Sequence, residues 1–513
     1  MKIPTLSALR THRSPRAARA VAALAAALGL TAATLLGATP APASAPPARL
    51  TPAAVDRFVR DYVEETGLPG AVVAVTRGER VLHTAGYGHT ASGAAMTART
   101  RLPVASLSKA MTALAVLQLA EAGKVDLDRP VRRYLPEFRM ADPRAGRITV
   151  RQLLTQTSGM ADSAYPDLTR AQPHSLKEAV AAMRDAPLAA DPGTNYRYHN
   201  PNYFVAARLV EVVSGRPFAE QLAAEVFRPL GMTRTASYAG TDEMPGEARG
   251  YVRAYGTTVA VDHPRWFAEG GHGVVTTADD LAQWLIAQSN GGVSAEGRRI
   301  ASARTIDVTH TPPATPRDGV YAMGWIRNTA EGPLQIQHSG QLLTHNALAT
   351  LLPESGTGIA VVTNTGMIAG DDAAQIAQGL TELARGERPE PAAPVSMTAD
   401  WVLAALTLLA LGLGVRGTLR AGHWARRRSG RAWWRVALRA LPYVLPVLLF
   451  VQLSALFGVL MRRAGTLEQV AYAWPALAVC TGAAALASAT VLAARLAALV
   501  RPRRRAGAAK VGT

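Results

Sequence analysis

The chain has 513 residues, 49% of them hydrophobic, a formal net charge of +18 and a single cysteine. That length holds one large domain or two ordinary ones. Residues 46–395 carry 34 basic and 35 acidic side chains, which leaves 21 and 2 of the chain's 55 and 37 to the flanks; the excess positive charge is therefore peripheral and argues against a nucleic-acid partner. Cys480 alone excludes an intrachain disulfide, and no histidine pair has a zinc-like spacing beside a third ligand, so neither a metal nor another cofactor is expected.

Residues 1–45 read as an export segment. Lys2, Arg10, Arg13, Arg16 and Arg19 precede an apolar run from Ala20 to Leu36 and small residues ending in Ala43-Ser44-Ala45. Pro46 is unfavourable just after that cleavage point, so the segment is cleaved elsewhere or stays as an anchor; either outcome exports the domain behind it.

Residues 46–386 read as one globular α+β domain. Thr51-Pro52 predicts a helix start with Val55, Phe58, Val59, Tyr62 and Val63 on one face. Ala71–Thr76 and Arg80–Ala85 predict a hairpin across Arg77-Gly78-Glu79. Helical patterns then dominate to about Asn290, including Tyr203–Ser214 before Gly215 and Asp279–Ala287 after a Thr277 cap. Strands return at Tyr321–Arg327, Leu334–His338, Ala347–Leu352 and Gly358–Asn364, followed by a helix over Asp371–Ala384. The pattern predicts one antiparallel sheet assembled from both ends of the domain, flanked by helices, around a largely helical insertion.

Residues 387–394 form a Pro/Glu/Ala linker, and 395–500 hold three apolar segments near Val395–Val415, Val436–Leu460 and Val470–Val500. Each is close to the length of about 17–25 residues that spans a bilayer. Seven arginines fill the first connection and a basic tail occupies 501–513, whereas the second connection has only Arg462, Arg463 and Glu468. The positive-inside bias then places the first connection and the C-terminus in the cytoplasm and the globular domain outside.

Within the globular domain, Ser106-Leu107-Ser108-Lys109 is the only Ser-x-x-Lys, and Lys109 is one of just five lysines in an arginine-dominated chain. Arginine cannot release a proton in a protein, whereas a desolvated lysine can. On a helix this spacing brings hydroxyl and amine to one face, the arrangement of an activated nucleophile. Leu107, Ala110, Met111, Leu114 and Leu117 predict a helix that starts at the serine, with one apolar stripe and a stop at Gly123. Such a helix start also offers unpaired N–H groups to an oxyanion.

Two later elements accompany this pair: Tyr198-His199-Asn200, after Asp191-Pro192-Gly193-Thr194, and His338-Ser339-Gly340 before Gln341. With LPVASLSKAMTALAVLQLAEAGKVDLDRPVRRYLPE, ITVRQLLTQTSGM, PGTNYRYHNPNY, RPLGM and GGHGVVTTADDLAQW in the same order, the stretch from Thr51 to Glu387 resembles the serine β-lactamase and penicillin-binding-protein superfamily, in the branch of class C β-lactamases, DD-peptidases and related esterases. The resemblance implies a β-lactamase/transpeptidase-like fold and a serine hydrolase. Ser106 would attack the carbonyl, Lys109 would take or relay its proton, and Tyr198 would act as base toward the serine and then as acid toward the leaving group. Asn200 and the strand His338, Ser339, Gly340 and Gln341 would bind substrate, with backbone N–H groups of Ser106 and Gln341 as the oxyanion hole.

Where many members have Lys-Thr-Gly, this chain has His338-Ser339-Gly340, and a neutral imidazole holds a substrate carboxylate less firmly than an ammonium. Gln156, where the family phrase has histidine, is expected to be structural, and His272 to be a loop residue. The expected substrates are D-Ala-D-Ala-type peptides, β-lactams or small esters and amides, and the lipid bilayer is the other expected partner. The alternative is a non-hydrolytic penicillin-recognition module signalling through its membrane helices.

Overall fold

The computed structural model describes residues 49–314, 321–330, 332–366 and 371–500; the expected export segment and basic tail lie outside them. Near the start of the domain, β1 (Gly70–Arg77) and β2 (Arg80–Gly88) form the expected hairpin. Four further strands come from its other end: β3 (Ile326–Asn328), β4 (Gln335–Gln341), β5 (Asn346–Leu352) and β6 (Thr357–Thr363). They assemble in the order β2-β1-β6-β5-β4-β3, every neighbouring pair antiparallel.

The central strands are buried on both faces, because side chains alternate between two cores. Ala71, Val73 and Val75 of β1 join Ile359 and Val361 of β6 beneath two helices, α1 (Pro52–Thr66) and Asp372–Ala384. Val72, Ala74, Ala360 and Val362 face the larger core on the other side. That core contains α2 (Ser108–Glu121), α3 (Pro201–Ser214) and α4 (Ala278–Ser289); the helix Asp372–Ala384 is α5. Capping chemistry sets several ends. Thr51, Thr277 and Asp371 accept from Ala54, Asp280 and Ala374 N–H, and Gly215 closes α3 at φ 72°.

Two local expectations are corrected. Helix α2 does not present one apolar stripe: every residue from Ser108 to Leu117 is buried, as befits a helix that crosses the core rather than lying on it. The insertion is largely helical, as expected, with a few short strands. It carries a hairpin, Gly250–Ala254 with Thr257–Val261, turned by Tyr255 and Gly256 at φ 54° and 73°, the conformation two-residue hairpin turns require. It also supplies Ala236–Ser237 and Val274–Thr276 to a small sheet with Leu102–Pro103.

The second correction concerns the C-terminal segments. The helices α6 (Val395–Leu419), α7 (Trp433–Val451) and α8 (Pro475–Val500) are long and apolar enough to cross a membrane. The second expected span breaks near Gln452 into α7 and a short helix Leu453–Met461, and the third begins only at Pro475, after a separate turn of helix Leu467–Ala473. Gly414 and Gly417 pack so closely on Ala487 and Val491 of α8 that a Cβ at either would lie 2.7 Å from those side chains, the small-residue contact that lets apolar helices approach. Asp400, near the start of α6, is 1% exposed. Its carboxylate accepts from Tyr255 N–H at 2.9 Å and Trp474 Nε1–H at 2.8 Å, so this charge is spent on docking the helix ends to the globular domain.

Candidate active site

The turn before α2 is strained. Ala105 has φ 49°, costly for any residue with a Cβ, and opens a 3-10 turn Ala105–Leu107 that leads into α2. The Ala105 carbonyl accepts from Ser108 Oγ at 2.6 Å, and that oxygen accepts from Val274 N–H at 3.0 Å. The turn is thereby tied to the small sheet, and Ser106 is left half-buried at the helix entrance.

Lys109 lies one turn on and is fully buried. Its Nζ is 3.0 Å from Ser106 Oγ, 3.0 Å from Asn200 Oδ1 and 2.8 Å from the Gly271 carbonyl. Burial first, and the nearby Arg463 charge second, hold its pKa well below the ordinary lysine value, against a smaller opposing pull from Asp167. In the neutral amine, the two acceptor-only oxygens take both N–H groups, and the remaining lone pair faces the serine hydroxyl.

Tyr198-His199-Asn200 forms the entry to α3, with Asn200 as its N-cap. Gln156, itself at φ 60°, braces this entry: its Oε1 accepts from His199 N–H at 3.0 Å and Asn202 Nδ2 at 2.6 Å. Lys109 Nζ lies 4.9 Å from the Tyr198 ring centroid. Burial, only partly offset by a hydrogen bond with Ser106, pushes the Tyr198 phenol above its ordinary range. Lys109 and Tyr198 thus both lie within reach of Ser106, the amine with its pKa lowered and the phenol with its pKa raised.

Strand β4 runs beside the nucleophile. A Cβ at Gly340 would collide with the Val104 carbonyl and lie 3.1 Å from Ala105 Cβ, so only glycine permits this approach. Ser339 and Gln341 alternate to the exposed side, while His338 is 2% exposed. The His338 ring has Nδ1 2.6 Å from the Ser339 carbonyl and Nε2 3.2 Å from the Tyr321 hydroxyl. Burial foremost lowers its pKa to about 3, so it offers no cation near neutral pH.

Several residues at the site carried no sequence signal. Asp167 is 8% exposed, and its Oδ2 accepts from Asn200 Nδ2 at 3.1 Å. Gly271 supplies the acceptor for Lys109, and Tyr321 stacks edge-on to Tyr198 at 5.9 Å. His272, expected in a loop, is buried edge-on against Trp266 and tilted against Phe204. Asp162, Asp167 and His199 bring ligand atoms within 4.8 Å of one another, a grouping a cation could use. The cation present is the Arg463 guanidinium, whose Nη2 is 3.0 Å from both Asp167 oxygens and whose Nε is 3.7 Å from Asp162.

A family model described as beta-lactamase matches residues 55–381. The chain is 27% identical over 317 residues to protein flp of Staphylococcus aureus (strain N315), a match that covers 60% of this chain and 62% of that protein. It is 28% identical over 354 residues to penicillin-binding protein 4 of Amycolatopsis lactamdurans, covering 64% and 90% respectively. An octameric penicillin-binding protein homologue from Pyrococcus abyssi shares the fold, with a TM-score of 0.56 at 24% identity over 69% of this chain and 81% of that one.

Proposed function

Because this chain belongs to the beta-lactamase family, we propose that it is a serine hydrolase that works through an acyl-enzyme, held at the membrane by its C-terminal helices with its site outside the cytoplasm. The observation that carries the chemistry is the environment of Lys109. Two acceptor-only oxygens and one hydroxyl surround a buried amine, so the amine's lone pair is directed at Ser106. Ser106 Oγ attacks the substrate carbonyl as its proton passes to Lys109 Nζ. The tetrahedral oxyanion forms between the backbone N–H groups of Ser106 and Gln341. Tyr198, a phenol kept protonated, donates to the leaving nitrogen or oxygen as the C–N or C–O bond breaks, and regains a proton from the lysine. Water then cleaves the ester by the reverse proton path.

Substrate preference follows from His338. With both ring nitrogens engaged and no positive charge, it is a poor clamp for a carboxylate. Short esters and amides are therefore the favoured substrates, ahead of β-lactams and D-Ala-D-Ala peptides. Extracytoplasmic placement rests on the arginine asymmetry of the connections, with which the docking of the globular domain on the weakly charged second connection agrees.

A membrane-impermeant fluorophosphonate applied to intact spheroplasts tests chemistry and sidedness together. Ser106 Oγ displaces fluoride, so the full-length chain is expected to label without lysis and Ser106→Ala to remain dark. Labelling that survives in Ser106→Ala would place the nucleophile elsewhere, and labelling seen only after lysis would put the site in the cytoplasm.

A further inference from the structure

The connection between α7 and α8 reaches into the active site. Ala464 N–H donates to Asp162 Oδ2 at 2.6 Å, Gln469 Nε2 donates to the Leu168 carbonyl at 2.9 Å, and the Tyr472 hydroxyl donates to the Asp262 carbonyl at 2.8 Å. These contacts seat the connection against the wall formed by residues 162–168 and 262. Arg463 projects from it, 28% exposed, onto Asp167.

From there an ordered line of polar groups runs to the nucleophile. The Asp167 carboxylate can only accept, so it takes the Asn200 Nδ2–H at 3.1 Å. The amide cannot present nitrogen to both sides, and its Oδ1 therefore faces Lys109 Nζ at 3.0 Å. An acceptor there, with the Gly271 carbonyl, fixes which direction is left for the lysine lone pair. Burial pushes the Asp167 carboxyl upward, but Arg463 foremost, then His199 and the Asn200 amide, outweigh it and hold the carboxyl below its ordinary value. Without the guanidinium, a carboxylate 8% exposed would lose its main counter-charge and favour its protonated form. A carboxylic acid can donate as well as accept, so the Asn200 amide would no longer be held to one orientation.

We propose that Arg463, delivered by the connection between the last two membrane helices, is a positioning residue of the hydrolase site: through Asp167 it sets the Asn200 amide and thereby aims Lys109 at Ser106. The active site is thus completed by the membrane domain, and the globular domain alone holds every catalytic group without the one that orients them. The inference rests on Lys109 as the acceptor of the serine proton.

The test uses the full-length protein in detergent micelles, with steady-state hydrolysis of a short-chain ester and fluorophosphonate labelling rates. Arg463→Gln is expected to lower kcat at least about tenfold with KM within about twofold, since a misaligned group costs rate more than ground-state binding. Arg463→Lys, which restores a charge, should recover much of that loss, and Arg462→Gln on the exposed neighbouring residue should leave kcat unchanged. Asp167→Asn should lower kcat similarly, and the loss in the double variant Arg463→Gln/Asp167→Asn should fall well short of the product of the two single losses, because the arginine orients Asn200 through that carboxylate. A full rate in Arg463→Gln, or losses that multiply in the double variant, would overturn the inference by itself. An unaltered chain that neither labels nor turns over ester would overturn the acyl-enzyme reading and this inference together.

Discussion

Lys109 concentrates the physical argument at the scale of single residues. A charged ammonium would satisfy three acceptors, but full burial and the Arg463 charge both oppose it, and the neutral form leaves a base pointed at the hydroxyl. Tyr198 is pushed the other way by the same burial, which is why the proposed mechanism takes lysine as the proton acceptor and tyrosine as the proton donor. Lys109→Arg keeps a positive charge that cannot be given up. It is expected to slow acylation by about 100-fold or more, and Lys109→Met, which cannot take a proton either, should fall as far. Fluorophosphonate labelling rates measured beside melting temperature check this. A near-normal rate in either variant would reduce Lys109 to an electrostatic neighbour.

Strand β4 and the strained turn at Ala105 make the site at the scale of elements. Neither is useful alone: the turn exposes Ser106 at a helix entrance, and β4 brings Gln341 alongside only because Gly340 lets two backbones approach. Gly340→Ala puts a methyl group against the Val104 carbonyl. Relief by moving β4 outward should cost about 1–3 kcal/mol of stability and lower the labelling rate about tenfold or more. Denaturant melts and labelling kinetics on the same preparation separate the two effects. An unchanged rate would mean that β4 can shift without disturbing the oxyanion site. The hairpin at Gly250–Val261 makes the other functional element, because its Tyr255 N–H binds Asp400 at the start of α6.

Across the whole molecule, buried histidines dominate the expected response to acid. Burial lowers His199, His263 and His310 to about 4, and His338 and His345 to about 3; His272 is also lowered, by burial first. These groups are neutral in the fold, whereas the unfolded chain binds their protons from about pH 6.5 downward. Their stabilisation is therefore fully present above that pH and is lost as pH falls toward 4, each at up to about 1.4 kcal/mol per pH unit. Four carboxyls oppose them: burial raises Glu269 to about 7 and Asp371 to about 6, and lifts Asp162 and Asp280 above their ordinary values, so their contribution is lost as pH rises through their folded pKa values. Six histidines with large shifts outweigh four carboxyls, and the melting temperature is expected to drop between pH 7 and pH 5. Calorimetry in buffers of matched ionic strength would show this; a melting temperature that rises over that interval would contradict the buried neutral histidines.

The sequence alone was sufficient for features written in local pattern and chemistry. The β1–β2 hairpin, the caps at Thr51 and Thr277, the three apolar segments and the Ser-x-x-Lys pair were legible because periodicity, turn residues and side-chain identity are properties of neighbours in the chain. Gln156 was rightly expected to be structural. The burial of Lys109 and Tyr198 was not legible, since it comes from residues far along the chain, such as Gly271, 162 positions from Lys109. The all-round burial of α2 was hidden too, because an alanine-rich helix reads alike whether it lies on a core or crosses one. Arg463 was seen only as a weak charge in an outer connection. Its place beside Asp167, nearly 300 positions earlier, is decided by how the C-terminal apolar helices return to the globular domain, and no local pattern encodes a contact of that range.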